Sequence, residues 1–162
     1  MAKLGLRHSR IVTKGDGAML VRECLRKAPV TVPTGCSLEE AAKLMGDHGV
    51  GSVLVLDGFE VIGIVTDRDV TVRGAGAGRP MTSSVDGVMT RNPVTIQGAA
   101  DIFDAYQALK SAGVRRLPVL EDDNLAGIIT ADDLLVALVL ELGAVVSTVG
   151  HQMLEPEGHK KI

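Results

Sequence analysis

Two segments of the sequence place a hydroxyl and a carboxylate three residues apart, in a setting suited to binding an anion. They are Gly63–Asp69, GIVTDRD, and Gly127–Asp133, GIITADD. A strand that runs into a helix would put this Thr and Asp in the first helical turn, where free backbone N–H groups favour negative charge. A carboxylate also accepts two hydrogen bonds from the cis-diol of a ribose. The pattern therefore suits a nucleoside phosphate, although Thr66 and Asp69 would equally form a capping box that only satisfies the helix's own amides.

A pair of adjacent arginines is the second candidate for ligand chemistry. Arg115 and Arg116 stand at the start of an apolar strand in Gly113–Val119, GVRRLPV. Arginine pairs well with phosphate oxygens. The alternative is that both arginines are a solvated strand edge.

An internal repeat relates these segments to each other. A shift of 64 residues superposes Pro29–Val70 on Pro93–Leu134 without a gap, and 12 of the 42 pairs are identical. The shift aligns Thr66 and Asp69 with Thr130 and Asp133, and we call these two pairs the Thr/Asp corners, or the Asp69 corner and the Asp133 corner. It also aligns Arg115 and Arg116 with Gly51 and Ser52. A repeat of this kind indicates two copies of one structural unit.

The same order of elements is predicted in both copies. In the first, a short β-prone run at Val30–Val32 precedes a helix that Ser37 caps and Gly49 ends. Two apolar strands follow on either side of a turn at Asp57-Gly58, and a further helix begins near Asp67. The fold class is therefore α/β (α+β), with two β-α-β-β-α repeats. Because each copy is too small to bury a comfortable core alone, we expect the two sheets to pack together through their helices.

Gly74–Gly78, GAGAG, lies between the copies and is followed by Pro80. A dinucleotide loop would need a preceding strand and an immediately following helix, so the composition favours a flexible linker over a phosphate loop. The predicted organisation is a lead-in at 1–19, a first repeat at 20–73, a linker at 74–84, a second repeat at 85–149 and a tail at 150–162.

Composition excludes several function classes. The net charge is −3 and aromatic residues make up 2% of the chain, so neither a basic groove nor base-stacking platforms can be assembled, and nucleic acid is not an expected partner.

The longest apolar run, Leu134–Val149, carries Glu141 and is short for a membrane span, so it predicts a buried helix and no membrane contact. The N-terminus lacks a signal-length apolar stretch, which predicts a cytoplasmic protein.

Catalysis and metal binding are also not expected. Cys24 and Cys36 match no metal spacing and are predicted to be free thiols. The four histidines show no ligand spacing and pair with neither cysteine; they are His8, His48, His151 and His159. The sequence thus predicts no catalytic residues, no metal site and no required cofactor.

The doubled unit resembles a tandem pair of CBS (cystathionine beta-synthase) domains. The resemblance rests on MTRNPVTI at Met89–Ile96, on GVRRLPV and on the two Thr/Asp corners, and it covers about residues 20 to 146. It implies a regulatory protein that binds AMP, ADP, ATP or S-adenosylmethionine in clefts between the repeats. It also implies a flat homodimer that signals to an effector protein.

The resemblance implies two clefts. In the first, Asp69 would hold the ribose, Thr66 would meet ribose or phosphate, and Arg115 and Arg116 would take the phosphates. Thr90, Val94 and Thr95 would line the adenine there. In the second, the corresponding residues are Asp133, Thr130, Arg26, Val30 and Thr31. Because Gly51 and Ser52 replace the arginines in the second cleft, the first is expected to be the better site for a charged nucleotide.

One alternative remains open at this level. The chain could be an interaction or dimerisation module that binds no nucleotide, with its Thr/Asp corners serving only as helix caps. The apolar residues around Leu134–Val149 exceed what one buried face needs, which favours an oligomer contact for that helix.

Overall fold

A computed structural model describes residues 19–26 and 28–154 of the chain. The predicted tail from residue 155 and the lead-in before Met19 lie outside the described residues. The first half contains β1 (Thr31–Pro33), α1 (Leu38–His48), β2 (Ser52–Asp57), β3 (Glu60–Thr66) and α2 (Asp67–Asp69). The second contains β4 (Thr90–Arg91), β5 (Ile96–Gln97), α3 (Ile102–Ala112), β6 (Arg116–Glu121), β7 (Asn124–Thr130) and α4 (Ala131–Leu154).

The predicted helix boundaries of α1 are confirmed at both ends. The Ser37 hydroxyl accepts a hydrogen bond from the Glu40 N–H at 3.1 Å, and the helix ends at Gly49 in the left-handed conformation, with φ of 60°. Helix α3 repeats this arrangement with Asp101 as its N-cap and Gly113 at its end, with φ of 64°. A residue without a Cβ adopts this backbone at little cost, so glycine ends both helices.

Each half builds a small sheet with a parallel first pair and an antiparallel second pair. Strand β1 runs parallel to β2, and β2 pairs with β3 in antiparallel register, with Ser52 opposite Thr66. In the other sheet β5 runs parallel to β6, and β6 pairs antiparallel with β7, with Arg116 opposite Thr130. In each half, therefore, the first residue of β2 or β6 lies opposite the threonine of the Thr/Asp corner.

The segment in front of each repeat packs on the sheet of the other repeat. The 3₁₀ turn Val21–Cys24 buries Val21 and Cys24 in the core of the second half. The residues just before β4 enter the first core, with Val85 fully buried, and β4 itself pairs with β3. The chain therefore crosses between the halves twice, which ties them into one unit.

Two expectations about packing are corrected by the structure. The halves meet where strands β3 and β7 contact each other, in addition to the crossing segments, rather than through their helices. Helix α4 is long, as predicted, but it is not buried within the chain. Leu134 and Ala137 enter the core, whereas Leu135 and Leu142 are 63% and 64% exposed.

The predicted linker is structured. Residues Val70–Gly74 form a π-helical turn that continues α2, and Ala75–Ala77 form a 3₁₀ turn that ends at Gly78. Gly74 is buried against Leu38 of α1, so the GAGAG segment ends a helix instead of forming a phosphate loop.

Candidate functional site

The Asp133 corner is a complete capping box at the start of α4. One carboxylate oxygen of Asp133, Oδ2, accepts hydrogen bonds from the Thr130 N–H at 3.0 Å and the Thr130 hydroxyl at 2.6 Å. The Thr130 hydroxyl in turn accepts from the Asp133 N–H at 3.2 Å. The other oxygen, Oδ1, has Arg26 Nε at 3.8 Å. Oδ1 therefore remains available to a ligand.

A cleft of about 330 Å³ opens in front of this corner, between the two halves of the chain. Its walls combine apolar side chains with both signs of charge. The lining residues are Arg26, Ala28, Pro29, Val30, Gly49, Val50, Gly51, Ser52, Leu54, Arg116, Ile128, Thr130, Asp132 and Asp133. This size and mixture are typical of a small-molecule site.

Arg116 enters the cleft because Gly51 leaves room for it. A Cβ at Gly51 would come within 2.7 Å of Arg116 Nη2, and within 3.4 Å of an oxygen of Asp67. The guanidinium thus lies over the bare backbone of Gly51, beside the Asp67 carboxylate. Arg116 supplies a fork of N–H donors at the edge of the cleft, the geometry that suits a phosphate group.

The resemblance grouped Arg116 with the Asp69 corner, whereas in the structure Arg116 lines the Asp133 cleft. Arg116 lines the same cleft as Gly51 and Ser52, the residues that were thought to replace it there. The reason is that the side chain of Arg116, the first residue of β6, reaches Gly51, the residue before β2. Arg115, by contrast, is exposed and pairs with Asp132 at 3.8 Å.

The Asp69 corner forms the same capping box, but an arginine lies closer to its second oxygen than at Asp133. Asp69 Oδ2 accepts from the Thr66 N–H at 3.0 Å and the Thr66 hydroxyl at 2.7 Å. Oδ1 pairs with Arg73 Nη1 at 3.3 Å. Arg73 also donates to the Val88 carbonyl at 3.0 Å and to the Thr90 hydroxyl at 3.4 Å. Thr66, Asp69 and Thr90 are therefore brought together, around an arginine.

The remaining candidate residues lie outside these contacts. Thr31 follows Val30 but does not line the cleft, and Val94 and Thr95 are exposed. Sequence reasoning missed Arg73, although its spacing four residues after Asp69 is that of a helical ion pair. It also missed the apolar wall formed by Val50, Leu54 and Ile128, for which no local sequence signal exists because three separate elements contribute it.

The described part of the chain contains neither a cluster of metal-ligating side chains nor a helix suited to a membrane. Among residues 19–26 and 28–154, no group of three or more His, Cys, Asp or Glu side chains could hold a metal ion. In the same residues no helix has the length and apolar character needed to cross a membrane.

Comparison with known proteins identifies the fold. The family model of the CBS domain matches residues 21–75 and again residues 85–140. The chain belongs to the CBS-domain family and carries the domain as a tandem pair. CBS domain-containing protein YhcV of Bacillus subtilis is 31% identical over 134 residues, which cover 82% of this chain and 96% of that protein.

Solved structures agree with this assignment. CBS-domain containing protein ATU1752 from Agrobacterium tumefaciens is 34% identical, with a TM-score of 0.66 over 74% of this chain and 98% of that one. CBS domain protein PAE2072 from Pyrobaculum aerophilum, whose structure was solved in complex with AMP, has a TM-score of 0.70. It is 20% identical and covers 78% of this chain and 99% of that one, a likeness of fold.

Proposed function

We propose that this chain is a regulatory module that binds an adenosine-containing ligand in the Asp133 cleft. The observation that carries the proposal is the composition of that cleft, which combines a carboxylate oxygen, two arginines and apolar walls in one space between the repeats. AMP, ADP, ATP and S-adenosylmethionine are the candidate ligands. AMP bound to the fold neighbour PAE2072 supports an adenine nucleotide as the first to test.

The roles of the lining residues follow from their chemistry. Asp133 Oδ1 would accept hydrogen bonds from the ribose hydroxyls, while Thr130 holds the carboxylate in place. Arg116 and Arg26 would meet the phosphate. The apolar side chains of Val30, Leu54 and Ile128 would enclose the adenine.

A regulatory rather than catalytic role is part of the proposal. The described cleft combines hydrogen-bonding groups and cations, but it contains no nucleophile paired with a general base. Ligand binding would then act through the geometry of the two halves, since both contribute walls to the cleft. The signal would pass to an effector protein.

We propose a homodimer on a separate observation. Helices α3 and α4, with the turn that follows α3, expose apolar side chains on one side of the second half, among them Tyr106, Val114, Leu135 and Leu138. Exposed apolar surface of this extent is typical of a protein interface. A second copy of this chain would bury the apolar surface of α4 against its own.

The experiment is isothermal titration calorimetry with AMP, ADP, ATP, S-adenosylmethionine and adenosine. The tested variant is Asp133→Asn, and Asp69→Asn is its matched control because it changes the same capping box in the other half. We expect Asp133→Asn to lose binding and Asp69→Asn to retain it. Absence of binding by the wild-type chain at millimolar ligand would favour the ligand-free interaction module instead.

A further inference from the structure

The two pseudo-equivalent corners differ in the residue that faces the aspartate. The 64-residue repeat aligns Asp69 with Asp133 and Arg73 with Ala137. Ala137 is buried in the second core and sends no side chain toward Asp133. Arg73 instead reaches back along its own helix to Asp69, whose side chain is only 14% exposed.

Arg73 also donates hydrogen bonds to two other groups near Asp69. Its Nη1 atom lies 3.3 Å from Asp69 Oδ1, 3.0 Å from the Val88 carbonyl oxygen and 3.4 Å from the Thr90 hydroxyl. Thr90 aligns with Arg26, which lines the cleft in front of Asp133. One guanidinium thus contacts Asp69 and Thr90, two of the residues expected to meet a ligand at this corner, together with the Val88 carbonyl.

The backbone around Arg73 is built differently from its counterpart. Val70–Gly74 is a π-helical turn, whereas the corresponding residues lie in the regular helix α4. Gly74 is packed so closely that a Cβ there would lie 3.1 Å from Leu38 Cδ1. Wide turns of this type are often found at functional positions. Here the turn and the Gly74 contact fix the residue that carries the guanidinium.

We infer that Arg73 closes the Asp69 corner to nucleotides, so that each chain binds one nucleotide, in the Asp133 cleft. This inference rests on the proposed function. A ribose would have to displace the guanidinium from this largely buried carboxylate and leave the carbonyl of buried Val88 without its donor, whereas Asp133 Oδ1 faces only a more distant arginine.

The test is the stoichiometry of AMP binding by isothermal titration calorimetry. The wild-type chain, Arg73→Ala, Arg73→Ala with Asp69→Asn, and Arg68→Ala are compared. Arg68→Ala is the matched control because it removes an exposed arginine from α2, next to Asp69. Among the described residues, its side chain forms no ion pair or hydrogen bond. Melting temperatures confirm that each variant is folded.

We expect one AMP per chain for the wild type and Arg68→Ala, and two for Arg73→Ala. The second AMP is expected to be lost when Asp69→Asn is added. A folded Arg73→Ala protein that still binds one AMP would overturn the inference while leaving the proposed function intact.

The AMP stoichiometry of the wild-type chain and of Asp69→Asn tests the inference even if Arg73→Ala does not fold. Two AMP molecules per wild-type chain, one of them lost in Asp69→Asn, would show an open Asp69 corner and overturn the inference. One AMP that survives in Asp69→Asn supports it. Failure of every folded protein to bind AMP would overturn the proposed function and the inference together.

Discussion

The side chain of Leu25 lies directly on the backbone of Gly127. A Cβ at Gly127 would come within 2.8 Å of Leu25 Cδ1 and 2.9 Å of Cδ2. The same contact joins Met89 to Gly63 in the other half, and the repeat aligns the two pairs. The glycine that opens each Thr/Asp segment is therefore required by packing, and in the second half the contact positions Arg26, the next residue, at the cleft.

The first prediction concerns this contact. Gly127→Ala would force Leu25 off the strand, because its new Cβ would overlap both methyl groups. Overpacking of this kind costs about 1–3 kcal/mol, and we expect AMP affinity to fall as Arg26 shifts. Chemical denaturation and AMP titration measure the two effects. Gly46→Ala is the control, since the space beside Gly46 in α1 is open, and a destabilised Gly46→Ala would contradict the explanation.

The second prediction separates phosphate recognition from adenosine recognition. Arg116→Ala is expected to weaken AMP binding roughly tenfold or more, because a hydrogen bond to a charged group contributes about 1.5–3 kcal/mol. Adenosine, which has no phosphate, should bind both proteins equally. Arg115→Ala is the neighbouring control, since Arg115 is exposed and pairs with Asp132. Equal losses for AMP and adenosine would mean that Arg116 shapes the cleft instead of holding the phosphate.

The third prediction is a pH dependence at the junction of the halves. Burial by itself would raise the pKa of Asp86, but hydrogen bonds from the Ser84 and Thr34 hydroxyls and the Gly35 N–H, with the charge of Arg91, lower it below 3.8. A lowered folded-state pKa stabilises the protein above the unfolded pKa, and this stability is lost as the pH falls through the folded pKa.

Asp86→Asn should therefore lower the melting temperature by roughly 2–4 °C at pH 7, for a loss of about 1 kcal/mol. The gap between the wild type and the variant should close as the pH falls below about 4. Thermal melts from pH 3 to pH 7 measure both. A gap that stays constant down to pH 3 would show that the Asp86 charge does not contribute.

The fourth prediction concerns the two thiols. Burial raises the pKa of Cys36 to about 11, with a further contribution from the Glu40 carboxylate, and burial also raises the pKa of Cys24. Because the thiolate is the reactive form, neither cysteine should react with a disulfide reagent in the native protein at pH 8. Denaturation should release two thiols per chain. Rapid reaction of one thiol in the native protein would contradict this.

The fifth prediction tests the homodimer. The wild-type chain should elute at about twice its 17.0 kDa mass in size-exclusion chromatography with light scattering. Leu135→Glu with Leu142→Glu should give the single-chain mass, because charges on this face of α4 would be buried without partners. Phe59→Glu is the control, since Phe59 is 92% exposed at the β2–β3 turn. A single-chain mass for the wild-type protein would contradict the proposed homodimer.

Local patterns were sufficient to predict the elements and the corners. Ser37 and Gly49 mark the ends of α1 because capping and left-handed backbone depend on adjacent residues. The Thr66–Asp69 and Thr130–Asp133 boxes follow from spacing in the same way. The 64-residue repeat then allowed the elements of each copy to be predicted from the other. The resemblance to a tandem pair of CBS domains rested on these two matching copies.

Only the tertiary structure decided which half each connecting segment joins and which cleft each arginine enters. Val21 and Val85 occupy equivalent positions in the 64-residue repeat, and each packs in the core of the other repeat. Arg116 lies in the Asp133 cleft, and Arg73, which the sequence analysis did not select, lies at Asp69. The reason is physical: both sheets pair their strands in the same manner, so local pairing does not distinguish the two halves and long-range packing decides.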